Sequence, residues 1–179
     1  MLIGRGGQGA KSAAMILAKA AAKQELYIQA FPEYGPERMG APVKAYVKID
    51  KDKISSFTPI TEPDYVLLID DTLVDIAKEL LMKNTVLIIN SCKTHSYFKE
   101  KFNIANKMVI VDASNISIKN IGLNKPNIPI LGALLKIYNE VDIKNVKKAV
   151  EDYFTESIGK EKALANVNAV SDGFDEAKL

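Results

Sequence analysis

The chain has 179 residues, 47% of them hydrophobic and 26% charged, which suits one cored α/β-sized domain and excludes a second full one. The 24 Lys and Arg against 22 Asp and Glu leave a formal charge of +2, too even a balance for a nucleic-acid or anionic-membrane partner. The only cysteine is Cys92 and the only histidine is His95, which rules out an intramolecular disulfide, a Cys/His metal cage and a four-cysteine iron–sulfur cluster built from this chain alone.

The chain opens on "MLIGRGGQGAKSAAMILAKA". Met1 to Ile3 predict a very short first strand, weak or completed by another chain, and Gln8 to Lys23 a helix rich in alanine. Short apolar runs follow as "LYIQA" from Leu26, "VKAYVKI" from Val43, "YVLLI" from Tyr65, "TVLII" from Thr85 and "MVIVD" from Met108. Several are continuously apolar, as strands covered on both faces are. In "VKAYVKI", Lys44 and Lys48 alternate with apolar residues, which predicts an edge strand or hairpin arm with one wet face. A helix is predicted over Thr72 to Lys83. Strand alternating with helix gives an α/β, Rossmann-like, doubly wound fold with a mainly parallel sheet over residues 1–113.

After Asp112 the pattern turns helical, in "IPILGALLKIY" from Ile128, "DIKNVKKAVEDYF" from Asp142 and "KEKALANVNAVSDGF" from Lys160. Ala163, Val167, Val170 and Phe174 make one apolar stripe on the last of these. Residues 114–179 thus read as the mainly helical C-terminal part of the same domain. No apolar run is long enough to span a bilayer, and Met15 to Ala22, broken by Lys19, lacks the basic start of a signal peptide, so a cytoplasmic location is expected.

Gly4, Gly6 and Gly9 fall in a G-x-G-x-x-G spacing. Gly4 and Gly6 permit a tight turn and close backbone approach to a ligand, Gly9 lets the helix sit tightly on the strand, and the first helical amides make an anion site. A nicotinamide or flavin site wants an acid at the end of the second strand, to accept from the ribose hydroxyls. That strand ends near Gln29 and Ala30, with Glu25 before it and Glu33 past Pro32. Ordinary NAD binding is disfavoured. A ligand with a diphosphate and a phosphorylated ribose, such as coenzyme A, loses nothing from the missing acid.

The stretch "QAFPEYGPERMGAPVKAYVKI" from Gln29 carries three prolines and two glycines, with Phe31, Tyr34, Glu37 and Arg38 among them. A loop this rigid and amphipathic either docks a neighbouring chain or holds a ligand, and an interface is the first reading.

"GRGGQG" before an alanine-rich helix, "QAFPEYGPERMGAPVKA", "PNIPILGALLKI" and "KALANVNAVSDGFDEA" resemble the gamma subunits of the 2-oxoacid:ferredoxin oxidoreductases, most of all those of the pyruvate and branched-chain members. The resemblance implies a multi-subunit enzyme that decarboxylates a 2-oxoacid on thiamine diphosphate, passes electrons through clusters to ferredoxin and gives the acyl group to coenzyme A. Thiamine diphosphate, Mg and [4Fe-4S] clusters are then held by partner alpha, beta and delta subunits, with none in this chain, which is inactive alone. Carried over by motif, Gly4, Arg5, Gly6, Gly7, Gln8 and Gly9 belong to the coenzyme A side, with Arg5 and the amides as anion contacts and Gln8 as a hydrogen-bonding group. Glu37, Arg38, Gly40, Ala41 and Pro42 carry over as interface beside the active site. Arg5 and "ERMGAP" depart from the 2-oxoglutarate members, which leaves pyruvate or a branched-chain oxoacid as substrate, while Met39 stands where a second arginine is common. The alternatives are a non-catalytic nucleotide-binding or assembly subunit, and an independent NAD-dependent oxidoreductase.

Further polar groups sit at the ends of later strands, namely Asp70 and Asp71, Asn90 and Ser91, and Asp112 and Ser114. Asp71 before Thr72 and Leu73 reads as a helix cap rather than as half of a metal or acid–base pair. No nucleophile-elbow pattern surrounds Ser91 or Ser96, so His95 reads as a surface histidine beside a loop thiol, not as a hydrolase base. The aromatics Tyr27, Phe31 and Tyr34 read as packing anchors.

Overall fold

The shortest predicted strand turns out to be central. In the computed structural model, which describes residues 1–33 and 40–179, β1 (Leu2–Arg5) lies between β3 (Pro42–Asp50) and β4 (Tyr65–Leu68). Its register is antiparallel to β3, from Leu2 opposite Ala45 to Arg5 opposite Pro42, and parallel to β4, with Leu2 opposite Leu67. Its neighbours in the same chain complete it on both sides, which corrects the expectation of a strand weak or finished by another subunit. Four residues suffice because Leu2 and Ile3, 1% and 0% exposed, enter different cores on the two faces of the sheet.

The six-stranded sheet has the order β2-β3-β1-β4-β5-β6, with β2 (Tyr27–Pro32), β5 (Val86–Asn90) and β6 (Met108–Val111) as the remaining strands. β1, β4, β5 and β6 run parallel, while β2 and β3 form an antiparallel hairpin. The lysine-bearing strand is therefore a hairpin arm, as expected, but an inner one. The edge falls to β2, which never neighbours β1 and so does not occupy the second-strand place of a dinucleotide-binding unit. At the other edge, Lys178 pairs with Ile110 and covers β6.

Strict alternation explains the unbroken apolar runs. Leu67, Ile88 and Val109 face one core, and Leu68, Leu87, Ile89 and Ile110 face the other. The first core is covered by α1 (Ala10–Ala22), α4 (Ala113–Ile121), α5 (Pro129–Leu135), α6 (Ile143–Ile158) and α7 (Lys160–Glu176). The second is covered by α2 (Val74–Lys78) and α3 (His95–Phe102). The doubly wound α/β architecture and the helical C-terminal part appear as the sequence predicts. The Thr72–Lys83 helix is shorter than expected. It consists of a 3-10 turn (Asp71–Leu73) and α2, and the bonds Leu80 N to Ala77 O and Leu81 N to Lys78 O wind it to a close.

α5 is buried at all seven residues and crosses α7 at two glycines. A Cβ on Gly132 would stand 2.7 Å from Phe174 N and nearer still to Val170 O, and one on Gly173 would stand 2.7 Å from Pro129 C and nearer to Pro129 O. On α7, Ala163 and Val170 are fully buried and Val167 and Phe174 pack against the same core, as the predicted stripe requires. Among the described residues, no helix is long and apolar enough to cross a membrane.

Candidate functional site

The glycine turn joins the end of β1 to α1. Gly7 and Gly9 have φ of +94° and +83°, a region that side chains with a Cβ avoid. Gly9 serves as the helix N-cap with no side chain to close it, and no acidic residue stands in the first turn of α1. The leading amides of a 13-residue helix thus end at the turn with the positive pole of its dipole. Gly9 also makes room for Asn127, whose Nδ2 a Cβ there would approach to 2.5 Å. Helix-to-strand packing, the role expected for Gly9, is thus replaced by contact with a side chain from the loop before α5.

Around the turn lies a cleft of about 530 Å³, bounded by Arg5, Gly6, Gly7, Lys11, Ser12 and Lys44. Lys125 Nζ adds a cation at 3.4 Å from Gly7 O. Glu33 is the acid at the rim, and it is held by Tyr46 Oη at 2.6 Å and Lys44 Nζ at 3.9 Å. Burial first, then the hydrogen bond to Glu33, raises the Tyr46 phenol well above its usual range, so this link stays protonated.

Arg5 and Gln8 are braced from within the chain. Asp70, at the end of β4, accepts from Gln8 Nε2 at 2.8 Å and pairs with Arg5 Nε at 3.2 Å through Oδ2. Its Oδ1 accepts from Thr72 N at 3.0 Å and from Thr72 Oγ1 at 2.5 Å. Arg5 Nη2 donates to Thr72 Oγ1 at 2.7 Å and Nη1 to Gly40 O at 3.0 Å, while Arg5 N donates to Gln8 Oε1 at 2.7 Å. Burial raises the Asp70 carboxyl, but the Thr72 and Gln8 hydrogen bonds and the Arg5 charge outweigh it and hold the group below the ordinary carboxylate range.

The two long motifs meet here. Gly6 N donates to Ala41 O at 2.9 Å and Gly40 N to Gly6 O at 3.3 Å, while Pro42 opens β3 opposite Arg5. Gly4, Arg5, Gly6, Gly7, Gln8 and Gly9 are thus brought together with Gly40, Ala41 and Pro42. Glu37, Arg38, Tyr34 and Met39 lie outside the described residues. Lys44, Asn127 and the pairing of Asp70 with the turn were not foreseen as parts of this site. Asp70 carried a signal, as an acid at the end of a strand next to the glycine-turn strand, but strand adjacency is not written in local sequence.

A second cleft, about 310 Å³, opens at the ends of β4, β5 and β6. Gln8 and Asp70 border it from the glycine-turn side, and most of its other polar groups are engaged. Asn90 donates to Ile69 O and Ser114 Oγ, Asp112 caps α4 through Asn115 N, and Asp71 accepts from Ser91 Oγ at 2.7 Å and Lys93 Nζ at 3.0 Å. Asp70, not Asp71, caps the following turn, because Thr72 N points at its Oδ1 while Asp71 swings to Ser91. Cys92 is exposed, as expected. His95 opens α3 half-buried rather than on the open surface, and its Nε2 is 3.2 Å from Met108 O. Phe31 packs on Tyr46 at 5.3 Å, an anchor as read, whereas Tyr27 is 49% exposed.

Known proteins carry the same architecture. A crystal structure of pyruvate oxidoreductase subunit PORC from Thermotoga maritima superposes with a TM-score of 0.88 at 36% identity, covering 99% of this chain and 94% of that one. Pyruvate synthase subunit PorC of Thermotoga maritima is 38% identical over 98% of this chain and 92% of its own length. The pyruvate/ketoisovalerate oxidoreductases common subunit gamma of Thermococcus litoralis is 42% identical over 90% and 89%. A chain of 2-oxoglutarate:ferredoxin oxidoreductase from Magnetococcus marinus, solved with 2-oxoglutarate, coenzyme A and succinyl-CoA bound, shares the fold at a TM-score of 0.80 and 19% identity, covering 96% of this chain and 29% of that one. Residues 1–176 match the family described as pyruvate ferredoxin/flavodoxin oxidoreductase, and with relatives this similar along the whole fold, the chain belongs to that family.

Proposed function

We propose that this chain is the gamma component of a multi-subunit pyruvate:ferredoxin oxidoreductase, giving it scaffold and one wall of the coenzyme A environment. The observation that carries the reading is the cationic, glycine-lined cleft at the head of α1, in a chain that belongs to the family along residues 1–176. Its chemistry fits coenzyme A, since amides at a helix start take phosphate oxygens and Lys11, Lys44 and the free edge of Arg5 supply charge. Coenzyme A supplies the thiol that accepts the acyl group; this chain's residues bind and orient its phosphates. Gln8, braced on Asp70 and Arg5, shapes the turn.

Thiamine diphosphate, Mg and [4Fe-4S] clusters belong to the alpha, beta and delta subunits in this reading, and ferredoxin meets the complex there. The residues of this chain do not fit a cluster, with a single cysteine in the sequence and no group of three His, Cys, Asp or Glu among the described residues. Glu37, Arg38, Gly40, Ala41 and Pro42 are assigned by motif to the interface with a partner subunit beside the active site, in a complex working in the cytoplasm. A branched-chain oxoacid is the second substrate reading, favoured by the relative whose name joins pyruvate and ketoisovalerate under one gamma subunit.

The test is reconstitution of the complex with Lys11→Ala/Lys44→Ala chain, assayed by pyruvate-dependent dye reduction. A rise of about tenfold in the coenzyme A KM at similar kcat is expected, the scale of one or two charge-assisted contacts. An unchanged KM, or pyruvate oxidation by the purified chain alone, refutes the reading.

A further inference from the structure

Arg5 is engaged before any ligand arrives. Of its guanidinium N–H groups, one on Nη1 donates to Gly40 O and one on Nη2 to Thr72 Oγ1, while Nε lies 3.2 Å from Asp70 Oδ2 as an ion pair. Among the described residues, one hydrogen on each Nη has no partner, on a side chain 35% exposed that borders the cationic cleft. Asp70 is far less exposed, at 15%, and all four of its described partners belong either to the glycine turn or to Thr72. A carboxylate set this close to a phosphate site repels the ligand unless a cation covers it. Here the cation covering it is the one the site would use.

We propose that Asp70 is the positioning residue of the glycine turn. Its carboxylate pairs with the Arg5 charge at Nε, holds the Thr72 hydroxyl that Arg5 Nη2 meets and takes Gln8 Nε2, so that the guanidinium is set with one further hydrogen on each Nη towards the phosphates of coenzyme A. The proposal rests on the coenzyme A reading of the cleft. It assigns Asp70 no contact with the ligand. It also gives Arg5 a second duty, since Nη1 on Gly40 O ties the glycine turn to the residues that lead into β3.

A double-mutant cycle on the reconstituted complex tests this. In Asp70→Asn the amide oxygen still caps Thr72 N, so the turn folds, while the charge that orients Arg5 is gone. Asp70→Asn raises the coenzyme A KM about tenfold with little change in kcat, and Arg5→Ala does the same. Arg5→Ala/Asp70→Asn is no worse than Arg5→Ala, because Asp70 reaches the phosphates through Arg5, its hold on Gln8 serving the turn and not the ligand, and an uncovered Asp70 repels the ligand. With pantetheine, an acceptor thiol without phosphate, Asp70→Asn and the unsubstituted complex have the same KM. Thr72→Val, which removes the hydroxyl shared by Asp70 and Arg5, gives a smaller rise and serves as the second variant should Asp70→Asn fail to assemble.

Multiplying effects in the double variant, or a rise that persists with pantetheine, overturn the proposal in favour of a purely structural cap. An unchanged or lowered KM in Asp70→Asn beside a raised one in Arg5→Ala overturns it too, leaving the coenzyme A reading intact. An unchanged KM in Arg5→Ala removes that reading and this proposal together.

Discussion

Gly173→Ala tests the helix crossing at the heart of the C-terminal layer. In an open helix interior the exchange stabilises by roughly 1 kcal/mol through backbone entropy. Here the new methyl group starts 2.7 Å from Pro129 C and closer to Pro129 O, so α5 and α7 must part by at least 0.7 Å to reach the 3.4 Å of ordinary contact. The obstacle is backbone, not a flexible side chain that can turn aside, and α5 is buried at every residue, leaving it nowhere to go. Overpacking of this kind costs about 3 kcal/mol net of the propensity gain. For a chain of this size the melting temperature then falls by roughly 6 to 12 °C. Thermal unfolding followed by circular dichroism on the isolated chain reads it directly. Adding Gly132→Ala should cost less than it does alone, because the helices are already parted. A Gly173→Ala melt within a degree of the unsubstituted chain would refute the crossing geometry.

Gly9→Ala places a Cβ at φ +83° and against Asn127, and should destabilise by about 2 kcal/mol or more; Asn127→Ala should recover the steric part but not the backbone part, in the same melting assay. Asp70 has a carboxyl lowered in the folded chain, so its contribution to stability is complete above the unfolded value of about 3.9 and is lost as pH falls through the folded value. Urea midpoints measured from neutral pH downwards should therefore show a shallower acid decline in Asp70→Asn, and parallel curves would count against the ion-paired geometry.

β4, β5 and β6 were legible because each is a run of apolar residues buried on both faces, and "YVLLI", "TVLII" and "MVIVD" admit little else. The three C-terminal helices were legible from their period. α3 and α4 were not, since Thr94 and Asp112 cap segments with few buried side chains, Phe98 alone in α3, and so little apolar pattern. Nor was the central place of β1 visible: two residues carry its burial, and their partners in β3 and β4 are more than 40 positions away. The glycine turn announced itself by spacing. The Asp70 brace did not, because it exists only once β4 lies beside β1.

The wholly apolar α5 also bears on how the chain is made. Emerging from the ribosome, residues 129–135 are complete well before Lys160–Glu176, the helix that crosses them, has been synthesised. Until then one side of α5 has no cover, and the helical face of the sheet stays open. α7 thus closes this layer, and a nascent chain stalled short of it exposes a sticky surface that chaperones are suited to hold.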